Sequence, residues 1–250
     1  MKSVLALGRA ELLLLLRNRM ALFNAAVLPV PLVGLTASAA SDGDPAGNSR
    51  LVTGLLGMVI LGVVYYNLVT TYVARREELV LKRLRTGELT DAAILVGTAG
   101  PTLAVAVLQI LLFVAGGAVL MGLPVPVNAP VLLFGAVAGV VAFVLLAAVS
   151  SALTRTVELA QITTLPVLVV CLLGTGLFVP PDTVPPVVAD ILRWLPLAPA
   201  TELMRLGWVG DGGTFLGVLR AAAAPAGLLV AWTVLGWLAV LRWFRWEPRR

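Results

Sequence analysis

Leu51 to Arg85 reads LVTGLLGMVILGVVYYNLVTTYVARREELVLKRLR. Residues 51–74 carry no charge and, as a helix, reach about 36 Å, enough to cross ~30 Å of hydrocarbon. The next eleven residues hold seven charges: Arg75, Arg76, Glu77, Glu78, Lys82, Arg83 and Arg85. Such an uncharged run with so abrupt a stop has no place in a soluble core. It predicts a membrane span that ends at a basic interface.

The whole chain agrees with that stretch. It is 250 residues long, 60% hydrophobic and only 12% charged, with a mean hydropathy of +1.01. A soluble domain carries about 25% charged residues, so a soluble enzyme or a nucleic-acid-binding domain is a poor fit. Five further apolar stretches complete a set of six predicted spans at 21–40, 51–74, 92–121, 129–153, 159–179 and 217–241. The expected fold is an all-α polytopic membrane protein, a single domain over 1–250. Pro29, Pro31, Pro101 and Pro166 offer kink points inside these spans.

Charge placement predicts the orientation. With a cytoplasmic N-terminus, 14 of the 18 basic residues fall on inner segments, and only Arg50, Arg193, Arg205 and Arg220 fall outside. The acids divide almost evenly, seven inside and six outside. A Lys/Arg bias without an acidic bias is the positive-inside pattern, so both termini are expected in the cytoplasm. The net charge of +5 is then a match to anionic lipid rather than to nucleic acid. Ala37-Ser38-Ala39 has the form of a signal-cleavage site, but Arg9, Arg17 and Arg19 break the layout of a signal peptide, and an uncleaved first span is the reading adopted.

Four smaller features are legible. Residues 3–19 read as a helix lying in the cytoplasmic interface, or as a longer first span that snorkels its arginines. Leu79, Val80, Leu81 and Leu84 sit at helical spacing among charges, as in a short amphipathic helix or a basic turn that only sets topology. Thr90 or Asp91 can cap the third span, and Gly87 can end the helix before it. Residues 180–213 read as a broken outer helix, interrupted at Pro196 and Pro199, that either lids the outer side or lies on the surface.

The chemistry is sparse. There is no His, one cysteine (Cys171) and two lysines (Lys2 and Lys82), neither in a phosphate-binding G-x-x-x-x-G-K frame. The spans hold no ionisable residue at mid-depth, which argues against ion-coupled transport. Glu158 lies three positions after Arg155 and is expected to pair with it. Asp42 and Asp44 flank a glycine in a polar turn. What remains is uncharged polarity on two spans: Tyr65, Asn67 and Thr71 on the second, and Thr164, Cys171 and Thr175 on the fifth, the latter at i, i+7 and i+11. These six could line a passage or serve interhelical packing. Gly135 and Gly139 form a G-x-x-x-G, read as packing within one protomer in preference to dimerisation.

This layout resembles the permease subunit of type-2 ABC exporters, the daunorubicin-exporter-like and ABCG-like group. Three stretches carry the resemblance: Leu16-Arg17-Asn18-Arg19, Arg75 through Arg85, and Leu195-Pro196-Leu197-Ala198-Pro199 through Arg205. Val80 stands where the group often has glycine or threonine. The resemblance implies that the short charged helix is a coupling helix, with Arg76, Glu77, Glu78, Val80, Leu81, Arg83 and Leu84 meeting a separate ATPase subunit. ATP and Mg would then belong to that partner, present in two copies, and this chain would carry no cofactor and no catalysis. It implies a second permease subunit, as a homodimer or a pair with a similar chain, in a bacterial cell membrane. It implies export of a hydrophobic or amphipathic compound by alternating access without naming the cargo. A stand-alone secondary transporter or channel, and a membrane enzyme acting on lipid-linked substrates, are the competing readings.

Overall fold

A computed structural model describes residues 29–40, 43–86, 90–178, 183–210 and 215–244. Every element in them is helical: α1 (Pro29–Ser38), α2 (Pro45–Glu77), α3 (Val80–Arg85), α4 (Asp91–Leu120), α5 (Ala129–Leu153), α6 (Val157–Leu173), α7 (Pro186–Arg193), α8 (Ala198–Val209) and α9 (Phe215–Trp243). No strand occurs among the described residues. The expected interfacial helix at 3–19, the first eight residues of the first span (21–28) and Gly87 lie outside the described residues.

Four helices, α2, α4, α5 and α9, are long and apolar enough to cross a membrane, and they coincide with four of the predicted spans. The chain is thus an all-α, multi-pass membrane protein. The predicted start of the second span is corrected: α2 begins at Pro45, six residues earlier, because the Asp44 carboxylate accepts a hydrogen bond from the Gly47 amide at 2.9 Å and Pro45 occupies the first helical position. Thr90 caps α4 as its sequence suggests, accepting from Ala93 N at 3.3 Å. Asn128 and Thr156 do the same for α5 and α6. The Glu158 carboxylate accepts from its own amide and the Thr156 hydroxyl, so the expected Arg155–Glu158 pair is replaced by a capping arrangement. Pro101 leaves α4 continuous from Asp91 to Leu120.

The fifth span is shorter than the predicted 159–179. Helix α6 has 17 residues, about 25 Å, and stops short of the ~30 Å core. It ends at Gly174, where an added Cβ would lie 3.1 Å from the Leu192 carbonyl oxygen. The chain therefore turns at depth, against the following hairpin.

Hydrogen bonds define the two ends of the bundle. At the end opposite α3, Asn48 Nδ2 donates to the Met121 carbonyl at 3.2 Å, and the Val127 and Asn128 amides donate to the Trp208 and Gly207 carbonyls at 3.0 and 2.8 Å. At the α3 end, the Tyr72 hydroxyl donates to Leu95 O at 3.1 Å, and its ring meets Phe244 edge-on at 6.2 Å. Helix α2 runs through the centre and is the most buried span, while α9 shows most of its surface outward.

The broken segment before α9 is a hairpin inserted into the bundle. Helix α8 packs on α5, α2 and α9, and its contacts with α5 are glycine-tight. A Cβ on Gly135 would meet Leu203 Cβ at 2.7 Å, one on Gly139 would meet Ala200 Cβ at 2.9 Å, and one on Gly207 would meet Leu132 N at 2.4 Å. The G-x-x-x-G of α5 is therefore an intrachain packing surface. Gly139 lies ten residues into α5, about 15 Å from its start, so the beginning of α8 reaches deep into the bundle. Helix α7 remains on the outside, with Val187 and Ile191 exposed. Trp208 is buried at the rim, where its Nε1 donates to Pro124 O at 2.9 Å. Trp194 lies at the hairpin tip, near the middle of α9.

Candidate functional site

The charged segment after α2 is built as an anchored knob. Helix α2 ends at Glu77, and Leu79 then takes a left-handed conformation (φ 59°) that reverses the chain into α3. An L-residue pays about 1–2 kcal/mol for that geometry, so the reversal is enforced by its surroundings. Two residues supply them. Leu81 is fully buried, with α3 packed on α2 and α4. Arg76 is 1% exposed and donates from Nη1 to Ser151 O at 2.8 Å and from Nη2 to Thr154 O. These are terminal carbonyls of α5, where the helix end carries partial negative charge. The guanidinium thus ties the last turn of α2 to the last turn of α5. The Thr154 hydroxyl continues the tie to α6 through Thr163, at 2.8 Å.

Two of the residues expected on the partner surface are buried in this chain. Arg76 and Leu81 point into their own chain, because an apolar residue and a guanidinium beside orphan carbonyls both gain by burial there. Glu77, Glu78, Lys82 and Arg83 are exposed, and Val80 and Leu84 are half-buried. Arg75 and Glu78 form an exposed i, i+3 pair at 3.8 Å. The outward surface of the knob is therefore a mixed-charge ridge with Leu79 exposed among the charges.

The six candidate passage residues separate into two groups. Tyr65 and Tyr72, a heptad apart, share a face as their spacing implies, but that face is buried. The Tyr65 hydroxyl lies 3.0 Å from Ser150 Oγ, and its ring packs edge-on against Phe143 at 6.0 Å. On α6, Thr164 and Cys171 are buried, as is Thr175 just beyond its end. The threonines return their hydroxyls to the backbone, Thr164 to Ala160 O and Thr175 to Leu172 O, both at 2.7 Å. Helix α6 packs against α2 in the same chain. Tyr65, Thr164, Cys171 and Thr175 are packed between helices of this chain, and the hydroxyls of Tyr65, Thr164 and Thr175 find partners within it.

Asn67 and Thr71 lie on the other face of α2. Asn67 is exposed and Thr71 half-buried, with Tyr66 and Thr70 beside them and Gly62 exposed one turn earlier. Together they make a polar strip that is exposed at Gly62 and Asn67 and only half-covered elsewhere among the described residues. Its position follows a π-helical stretch, Val59–Tyr66, that ends directly before Asn67. Single π turns recur at functional sites because they re-aim the residues that follow. Helical spacing groups them: Thr70 and Thr71 stand at i+3 and i+4 from Asn67, and Tyr66 at i−4 from Thr70.

Among the described residues no group of His, Cys, Asp and Glu is arranged to hold a metal. No curated protein matches the chain. The family model described as ABC-2 type transporter matches residues 2–208. The match takes in the charged knob, the polar strip and the inserted hairpin up to Trp208, and it stops before α9. With four-fifths of its length so matched and an all-helical membrane fold, the chain belongs to the ABC-2 type transporter membrane family.

Proposed function

We propose that this chain is the permease subunit of an ATP-driven exporter and forms one six-span domain over residues 1–250 with both termini in the cytoplasm. It pairs with a second copy of itself, and the pair docks two ATPase subunits, which hold the ATP and Mg. The chain itself carries no cofactor and catalyses no reaction. Its cargo is a hydrophobic or amphipathic compound.

The observation that carries this reading is the anchoring of α3. The exposed ridge of Glu77, Glu78, Lys82 and Arg83 is a surface for a charged partner. Beneath it, Leu81 and Arg76 bind the knob to the ends of α2 and α5. A push on the ridge would therefore be delivered to two spans at once, as a rigid-body switch between inward- and outward-facing states requires. The partly exposed strip of Asn67, Thr70 and Thr71 supports a cavity or a second subunit on that side, since a hydrophobic span gains nothing by offering polar groups to lipid.

The test is purification of the tagged full-length chain from its own host. A Walker-A ATPase should accompany the unaltered chain. Combined Lys82→Glu and Arg83→Glu should remove it while the chain still inserts. Export that survives ATP depletion and follows the proton gradient would replace this reading with a stand-alone secondary transporter.

A further inference from the structure

A cavity of about 550 Å³ opens at the end of the bundle opposite α3, between α2, α8, α9 and the hairpin tip. That volume is in the range of small-molecule sites, ~300–1,000 Å³. Three of the four arginines that the charge pattern places outside line this one space: Arg50, Arg193 and Arg205. Glu202 is the single acid among the lining residues. It holds Arg205 in a bidentate pair, at 2.7 Å from Nη2 and 2.9 Å from Nε; with the Asp190 partner of Arg193 also counted, the three arginines keep a net positive charge around the cavity. Arg193 also pairs with Asp190 at 3.3 Å, in an exposed i, i+3 contact.

The arginines stand at different depths. Arg50 is in the second turn of α2, near the rim. Arg193 is beside the hairpin tip, whose Trp194 carbonyl accepts from Trp232, 17 residues into α9. That is about 25 Å along the helix. The guanidinium there is exposed, so the cavity at this level is polar as well as cationic. The wall opposite is apolar and contributed by α9: Ala221, Ala224, Pro225 and Leu228. A cationic lining on one side and an apolar wall on the other match one ligand chemistry.

We propose that this cavity binds an amphiphile with an anionic head, phosphate or carboxylate, and a single apolar chain. The guanidinium groups take the head and the α9 wall takes the chain. Binding of this kind needs neither ATP nor a partner subunit, so its absence would leave the transport reading standing.

The experiment uses the full-length chain in phosphatidylcholine nanodiscs. The probe is lysophosphatidylglycerol with a brominated acyl chain, which quenches the fluorescence of Trp194 in the cavity lining; a Trp194→Phe variant identifies that part of the signal. Saturable quenching is expected, about tenfold tighter than for brominated lysophosphatidylcholine. Joint Arg50→Gln and Arg193→Gln should weaken it by about tenfold or more, and Glu202→Gln should tighten it severalfold by removing the competing carboxylate. The gain from Glu202→Gln guards against loss of binding through misfolding. Equal affinity for the two lysolipids, or no response to any of the substitutions, would overturn the proposal. Displacement by inorganic phosphate at the same concentration as by unlabelled lysophosphatidylglycerol would overturn the chain requirement and make this a site for free phosphate.

Discussion

The indole N–H of Trp232, mid-way along α9, donates to the backbone carbonyl of Trp194 at 3.0 Å. This bond pins the tip of the inserted hairpin to the last span and holds α8 at its depth. Trp232→Phe keeps an aromatic ring but removes this exposed hydrogen bond, worth about 0.5–1.5 kcal/mol. The full-length variant in detergent should unfold several degrees lower. A cysteine placed at Leu195, in a Cys171→Ala background, should also become more reactive to maleimide. Unchanged reactivity would mean that glycine packing alone seats the hairpin.

That packing makes its own prediction. Gly207→Ala drives a Cβ to 2.4 Å from Leu132 N, and backbone at such a contact has to move. Overpacking of this kind costs about 1–3 kcal/mol. Gly62→Ala is the control, because nothing lies within 4 Å of its added Cβ; relief of glycine's helix penalty should stabilise by up to about 1 kcal/mol. Thermal unfolding of the two variants should move in opposite directions.

Arg76 and Arg83 stand seven residues apart with opposite expected behaviour. Arg76→Ala removes a buried, charged donor from two α5 carbonyls, a loss of about 1.5–3 kcal/mol for each charged bond. It should reduce the folded yield on size exclusion before any partner is considered. Arg83→Ala strips an exposed side chain, where stability changes stay within about 0.5 kcal/mol, and it should weaken ATPase co-purification alone. Equal loss of folded protein in both would remove the distinction between anchor and ridge.

Cys171 offers a clean test of whether α6 is packed or lines a passage. It is the only thiol in the chain and is 2% exposed. In the native protein a bulky maleimide should leave it unmodified, and denaturation should restore full reaction. Asn67→Cys in a Cys171→Ala background should react readily, because that position is open. Rapid native labelling of Cys171 would return α6 to the passage.

The all-helical membrane class and four of the spans were legible in the chain. Unbroken apolar runs with charged or proline-bearing ends allow little besides helices in lipid, where backbone groups must bond within their own segment. The caps at Asp44 and Thr90, the membrane class and the charged helix after the second span follow from that local physics. So did the reading of Gly135 and Gly139 as intrachain packing.

Which way each face turns was not local. Tyr65 and Asn67 are two positions apart and equally polar on paper, yet one is sealed against Ser150 and Phe143 while the other stands open. Leu81 and Arg76 looked like partner contacts and serve as anchors, because their neighbours are α5 carbonyls and helices distant in sequence. The three outer arginines, at 50, 193 and 205, meet in one cavity only because α6 stops early and the hairpin folds back into the bundle. Helical periodicity sorts residues into faces. Only the packing of one helix on another decides which face is covered, because lipid and an apolar core reward the same side chains.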